Sequence, residues 1–140
     1  INTPSMLCVE DALDALAWVE SIGGLSSAIK RSENNLEAIK HWVKNSHWID
    51  FLCEDYDNLS STSICLKIKD KAFLNLSDDM QKSKIKEINT ILEKENVAYD
   101  INSYRTAPPG FRIWGGSTVE TSDIENLLPW LDWSYTIVNG

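Results

Sequence analysis

Arginine is rare in this chain. Of 13 basic residues only Arg31, Arg105 and Arg112 are arginine, and the last two fall in one short stretch. Positive charge is scarce altogether: 13 Lys and Arg stand against 21 Asp and Glu, a formal net charge of −8. That balance argues against a nucleic-acid surface, which needs a basic face. It also means that an anionic ligand has to be drawn in by local positive charge. Cys8, Cys53 and Cys65 are odd in number and lack close spacing, which fits neither a disulfide framework nor a zinc site and points to a reducing cytoplasm. His41 and His47 have no Cys, His or carboxylate at ligand spacing, so they read as surface or capping residues. No apolar run approaches the ~18 residues of a membrane-spanning helix, and no signal-peptide pattern occurs. Glycine-rich nucleotide loops, internal repeats and low-complexity segments are missing too.

What remains is ordinary globular material. The chain has 140 residues, 43% of them hydrophobic and 24% charged, enough for one domain with a real core. Ser5 is placed to cap a first helix with Val9, Ala12, Leu13, Leu16 and Val19 at helical spacing, and Gly23-Gly24 supplies its left-handed stop. A second helix is expected from about Ser26 to Asn45, with Ile29, Leu36, Ile39 and Val43 as its apolar stripe. Trp48 to Phe51 reads as a short strand. Thr62 to Lys69 alternates, with Ile64, Leu66 and Ile68 on one face and Ser63, Cys65 and Lys67 on the other. Strand packing explains Cys65 better than a nucleophile does, because no histidine partner lies near it in sequence. Ser77-Asp78-Asp79 opens a third helix with Ile85, Ile88 and Leu92 inward, and its lysines and glutamates form a solvated face. Asn96 caps it before a strand expected over Val97 to Ile101. Ser122 and Glu125 make a capping box for a last helix, whose stripe is Ile124, Leu127, Leu128 and Leu131, and Pro129 should kink or divide it. Trp130 and Trp133 read as packing residues. The order of elements predicts an α+β fold: a short antiparallel or mixed sheet with helices on one face.

The stretch Tyr104 to Gly116, Y-R-T-A-P-P-G-F-R-I-W-G-G, gathers the chemistry. Pro108 and Pro109 stiffen it, and Pro109-Gly110 is expected to form a type II turn with glycine at positive φ. Phe111 to Trp114 reads as a strand ended by Gly115-Gly116. Two guanidinium forks on a rigid turn suit planar anions, because each donates paired hydrogen bonds to a carboxylate or phosphate. The plainer reading is that Phe111 and Ile113 face inward and Arg112 merely faces water. Pattern alone leaves both open.

Asn2-Thr3-Pro4-Ser5-Met6, then Ser21-Ile22-Gly23-Gly24-Leu25, then Tyr104-Arg105 through Arg112-Ile113-Trp114-Gly115-Gly116 together resemble the phosphoserine aminotransferases. These are pyridoxal-phosphate enzymes of the class V, fold-type I group. The likeness includes Glu93 to Asp100 and the ending Pro129-Trp130-Leu131-Asp132-Trp133, so it covers essentially the whole chain. It implies a small C-terminal domain spanning residues 25–140, preceded over residues 1–24 by the end of the large cofactor domain and a long interdomain helix. It implies that Asn2 and Thr3 hold the phosphate of pyridoxal phosphate across a homodimer interface. Arg112 would grip the substrate α-carboxylate and Arg105 the phosphate of phosphoserine. The better-known branch carries a His-Arg pair where this chain has Tyr104-Arg105 and an extra Pro-Pro step. The Schiff-base lysine, the acid facing the pyridine nitrogen and the main phosphate loop lie upstream in such enzymes. The start Ile1-Asn2-Thr3-Pro4, with the first methionine at Met6, likewise reads as a piece of something longer. The implied reaction converts 3-phosphohydroxypyruvate and glutamate to phosphoserine and 2-oxoglutarate, a step of serine biosynthesis, and the isolated piece is expected to be inactive.

Two other readings compete. One is a sister class V enzyme of the serine or alanine–glyoxylate type, or a cysteine desulfurase. An alanine-type enzyme would have no use for Arg105, and a desulfurase would need a mobile nucleophilic cysteine near the substrate arginine, whereas no cysteine follows Cys65. A free-standing α+β module could bind a small anion or a partner protein without chemistry.

Overall fold

A computed structural model describes residue 3 and residues 5–140. Helix α1 spans Met6–Ser21 and α2 spans Gly24–Asn45. Between them Gly23 and Gly24 adopt φ of 104° and 79°, the left-handed conformation that glycine enters without a Cβ clash. Strands β1 (Ile49–Phe51), β2 (Ser63–Ile68) and β3 (Gly110–Trp114) form one antiparallel sheet in the order β1-β2-β3. Between β2 and β3 come the short helix α3 (Lys71–Leu74), absent from the sequence reading, and α4 (Asp78–Lys94). Helix α5 (Thr121–Asn139) closes the chain.

One face of the sheet is covered and the other is open. Phe51, Ile64, Leu66, Ile68, Phe111 and Ile113 are buried against Leu36, Ile39 and Val43 of α2, Ile85, Ile88 and Leu92 of α4, and Ile124, Leu128 and Leu131 of α5. Burial of this apolar surface is the main favourable term in folding. The alternate residues Asp50, Ser63, Cys65, Lys67 and Arg112 are only half-buried, and Trp114 is exposed. The α+β layer read from the sequence is therefore the layer observed. Trp48 sits at the centre of the core, stacked on Tyr135 at 4.0 Å and edge-on to Trp42 at 5.8 Å. Its indole N–H and that of Trp42 both donate to the carboxylate of Asp132, at 2.7 and 2.9 Å. Buried indoles demand such an acceptor.

Several local expectations give way. Asn96 takes the left-handed conformation expected of it after α4 (φ 57°), but Val97 to Ile101 is not a strand: Asp100 also takes positive φ (52°), which breaks the extended run, and only an isolated bridge joins Asn102 to Phe111. Gly110 lies within β3 and not at positive φ, so the type II turn at Pro109-Gly110 does not form. Glycine is needed there for close approach, since a Cβ would sit 2.1 Å from the Leu66 carbonyl oxygen. The turn falls earlier, where Ala107 N–H donates to the Tyr104 carbonyl at 2.9 Å. Helix α5 starts from Glu120, not Ser122, and no side chain caps it; it runs through Pro129 as one helix. Ser5 precedes α1 as expected but makes no capping hydrogen bond. Ile29, placed in the α2 stripe, is exposed, as are Val9, Leu13 and Leu16 of α1. Trp130 and Trp133 pack edge-on to each other at 5.3 Å but stay 37% and 43% exposed, at the surface and not in the core.

Candidate functional site

Arg112 is central in β3, opposite Cys65 of β2, with its neighbours Phe111 and Ile113 anchored in the core. Alternation thus fixes its side chain on the open face. Its backbone N–H donates to the Ile101 carbonyl at 2.8 Å, so residues 101–103 run along the outer edge of β3. The guanidinium carbon lies 4.6 Å from the centroid of the Tyr104 ring. One terminal nitrogen approaches Asp100 Oδ2 at 3.8 Å, too far for a hydrogen bond, and Asp100 itself is exposed. The Arg112 Nε is buried and has no hydrogen-bond partner among the described residues. A buried donor left unpaired is costly; the side chain as a whole is 25% exposed, so its terminal nitrogens are the donors an acceptor from solvent can reach.

Arg105 lies in the turn 104–107 and is exposed. It lines a cavity of about 360 Å³ with Lys82, Asn102, Ser103, Tyr104 and Pro109, and no acidic residue borders that cavity. Among the described residues neither Arg105 nor Lys82 has a carboxylate within 4.0 Å. Lys82 belongs to the α4 face that reads as merely solvated from sequence; its meeting with Arg105 depends on how residues 102–109 fold back over α4. Arg112 lines a different cavity, of about 440 Å³, with Tyr99, Asp100 and Trp114. The two arginines thus line separate cavities, and Tyr104 touches both settings, bordering the Arg105 cavity and packing against Arg112.

The third arginine has another use. Arg31 donates to the Ser117 carbonyl at 2.6 Å and pairs with Glu120, whose carboxyl it holds below the usual range. Beside it, fully buried Asn35 donates to the carbonyls of Gly115, Gly116 and Val119 and accepts from the Thr121 hydroxyl at 2.7 Å. These contacts fix the loop after β3, and nothing in the local pattern of α2 announces them.

For pyridoxal phosphate the described residues make an incomplete site. Asn2 lies outside the described residues, and Thr3 is exposed just before α1. No lysine shares the Arg112 cavity. His41 and His47 are exposed, and among the described residues no cluster of His, Cys, Asp or Glu could hold a metal ion. Nor is any described helix long and apolar enough to cross a membrane.

No family model matches the chain. Two curated relatives match nearly all of it: proteins of Methanosarcina barkeri, 49% identical over 138 residues, and of Methanosarcina mazei, 46% identical over 138 residues. The relatives are phosphoserine aminotransferases. The chain covers 99% of its own length in each alignment but only 35% of theirs, about a third of such an enzyme. The phosphoserine aminotransferase of Bacillus circulans subsp. alkalophilus has the same fold, with a TM-score of 0.79 over 97% of this chain and 34% of that one, at 19% identity. A second phosphoserine aminotransferase structure, recording radiation damage of its Schiff base, superposes with a TM-score of 0.73 at 15% identity, over 97% of this chain and 35% of that one. The resemblance read from the motifs therefore extends to nearly every residue.

Proposed function

We propose that this chain is the C-terminal third of a cytoplasmic, homodimeric phosphoserine transaminase, comprising the interdomain helix within residues 1–24 and the small domain over 25–140. The supporting observation is the state of Arg112: a guanidinium on the open face of the strand, against an aromatic ring, partly exposed and with no carboxylate at hydrogen-bond distance among the described residues. A substrate α-carboxylate would provide one, through the paired geometry that arginine favours. Arg105, with Lys82 beside it in an acid-free cavity, is suited to the phosphate of phosphoserine or 3-phosphohydroxypyruvate. In this reading the chain contributes binding and orientation. Asn2 and Thr3 are assigned to the phosphate of pyridoxal phosphate across the dimer interface. The cofactor lysine belongs to the part of the enzyme that this chain does not span, and the chain alone does not transaminate.

The exposed apolar face of α1 supports the same assignment, because the interdomain helix of the longer protein would cover it with the large domain. The test is substrate discrimination in the full-length enzyme. Arg105→Gln should raise KM for phosphoserine about ten- to a hundredfold and leave glutamate nearly unchanged, as expected for losing a charge-assisted hydrogen bond. Arg112→Lys should weaken both substrates. Equal losses for both substrates in Arg105→Gln would remove the phosphate role and favour a sister aminotransferase acting on unphosphorylated substrates.

A further inference from the structure

Tyr104 occupies the position where the resemblance left no assigned role, and the geometry gives it one. Its ring lies beneath the Arg112 guanidinium at 4.6 Å, within the range of a cation–π contact. The ring is not there for the core, because Tyr104 is 61% exposed. Its position is set by its backbone: the Tyr104 carbonyl closes the turn by accepting from Ala107 N–H at 2.9 Å, and the preceding Ser103 N–H donates to the Gly110 carbonyl at 3.3 Å. Turn and strand edge are thus tied together with the ring under the arginine. Tyr104 also borders the cavity that holds Arg105 and Lys82, so whether its ring or its hydroxyl matters is decided by experiment. Asp100, four residues before Tyr104, comes within 3.8 Å of the guanidinium and competes for its charge.

We propose that Tyr104 is a positioning residue for Arg112: the face of its ring restricts the guanidinium and presents it to the substrate carboxylate. This rests on the reading of Arg112 as the carboxylate clamp. A flat aromatic surface limits the guanidinium to a few orientations without consuming its N–H donors, which an ion pair would do. Any ligand carrying an α-carboxylate gains equally, so Tyr104 should matter to both amino-acid substrates and show no preference for the phosphorylated one.

The experiment is a set of variants in the full-length enzyme, with KM and kcat measured separately for phosphoserine and glutamate. Tyr104→Ala should raise both KM values by a similar factor, about two- to tenfold, the range of an exposed to partly desolvated cation–π contact. Tyr104→Phe should restore both, because the ring face remains. Asp100→Asn should lower both, by freeing the guanidinium. Thermal unfolding of each variant controls for folding, and the exposure of Tyr104 makes a loss of fold in Tyr104→Ala unexpected. A loss in Tyr104→Ala confined to phosphoserine, or a Tyr104→Phe variant as impaired as Tyr104→Ala, would overturn the proposal by pointing to the hydroxyl as a phosphate ligand. Unchanged KM values in Tyr104→Ala, with Arg112→Lys impaired, would overturn it while leaving the carboxylate clamp intact. Unchanged values in Arg112→Lys would overturn both.

Discussion

Helices α1 and α4 carry similar apolar stripes and meet opposite fates. In α4, Ile85, Ile88 and Leu92 are buried under the sheet. In α1 not one residue is buried, and Met6, Leu7, Leu13 and Leu16 stay exposed. Periodicity told both helices apart from their surroundings equally well, since the 3.6-residue repeat is a local property. What separates them is whether a partner surface exists within the described chain. For α4 the main partner is α5, and its apolar residues share one core with the sheet; for α1 the main partner among the described residues is α2. An apolar helix face left uncovered by its own chain is the expected mark of a domain boundary.

Breaking the contrast at its strongest point means removing a side chain that α4 has committed. Ile88→Ala should cost about 2–5 kcal/mol, because a fully buried side chain leaves a cavity that the core fills only in part. Denaturant unfolding of the chain measures it. Next comes the polar anchor of α2: Asn35→Ala strands three carbonyls and a hydroxyl, at about 1–3 kcal/mol, with local loosening of residues 115–121 visible by hydrogen exchange.

A smaller loss is expected at the join of α5 to the loop before α3. The Tyr135 hydroxyl donates to Asp70 at 2.8 Å, and this bond above all, with the Ala72 N–H, holds the Asp70 carboxyl below its ordinary range. A depressed folded value means that the contribution is present at neutral pH, above the unfolded value of about 3.9, and is lost as pH falls through the folded value. Burial, reinforced by Asp70, pushes Tyr135 up, so its own contribution is present below an unfolded value of about 10 and lost as pH rises through the folded one. Tyr135→Phe should cost about 0.5–1.5 kcal/mol at pH 7. Unfolding curves from pH 7 to 3 should show that difference shrinking as Asp70 protonates.

The smallest effect tests α1 itself. Leu13→Ser, at a position 54% exposed, should shift the stability of this chain by no more than about 0.5 kcal/mol. The same substitution in the full-length enzyme should lower stability clearly more, if the large domain covers this face. Equal small effects in both settings would leave α1 without the partner assigned to it.

The amino-acid order alone determined where the four long helices and strands β1 to β3 lie, which side of β2 and β3 turns inward, and that Arg112 must stand on the outer side. These follow from periods of 3.6 and 2 along a backbone, for which neighbouring residues suffice. Motif order also carried the likeness to phosphoserine aminotransferases over the whole chain, something no single local pattern could do. Tertiary structure alone decided that Lys82 and Arg105 line one cavity, that Tyr104 lies under Arg112, that buried Asn35 and half-buried Asp132 serve as polar anchors, and that residues 97–101 are not a strand. Each of those depends on groups far apart in the chain, or on a backbone angle at Asp100 that residue type permits but does not require. A contact between distant residues has no period to read; it exists only once the chain has closed on itself.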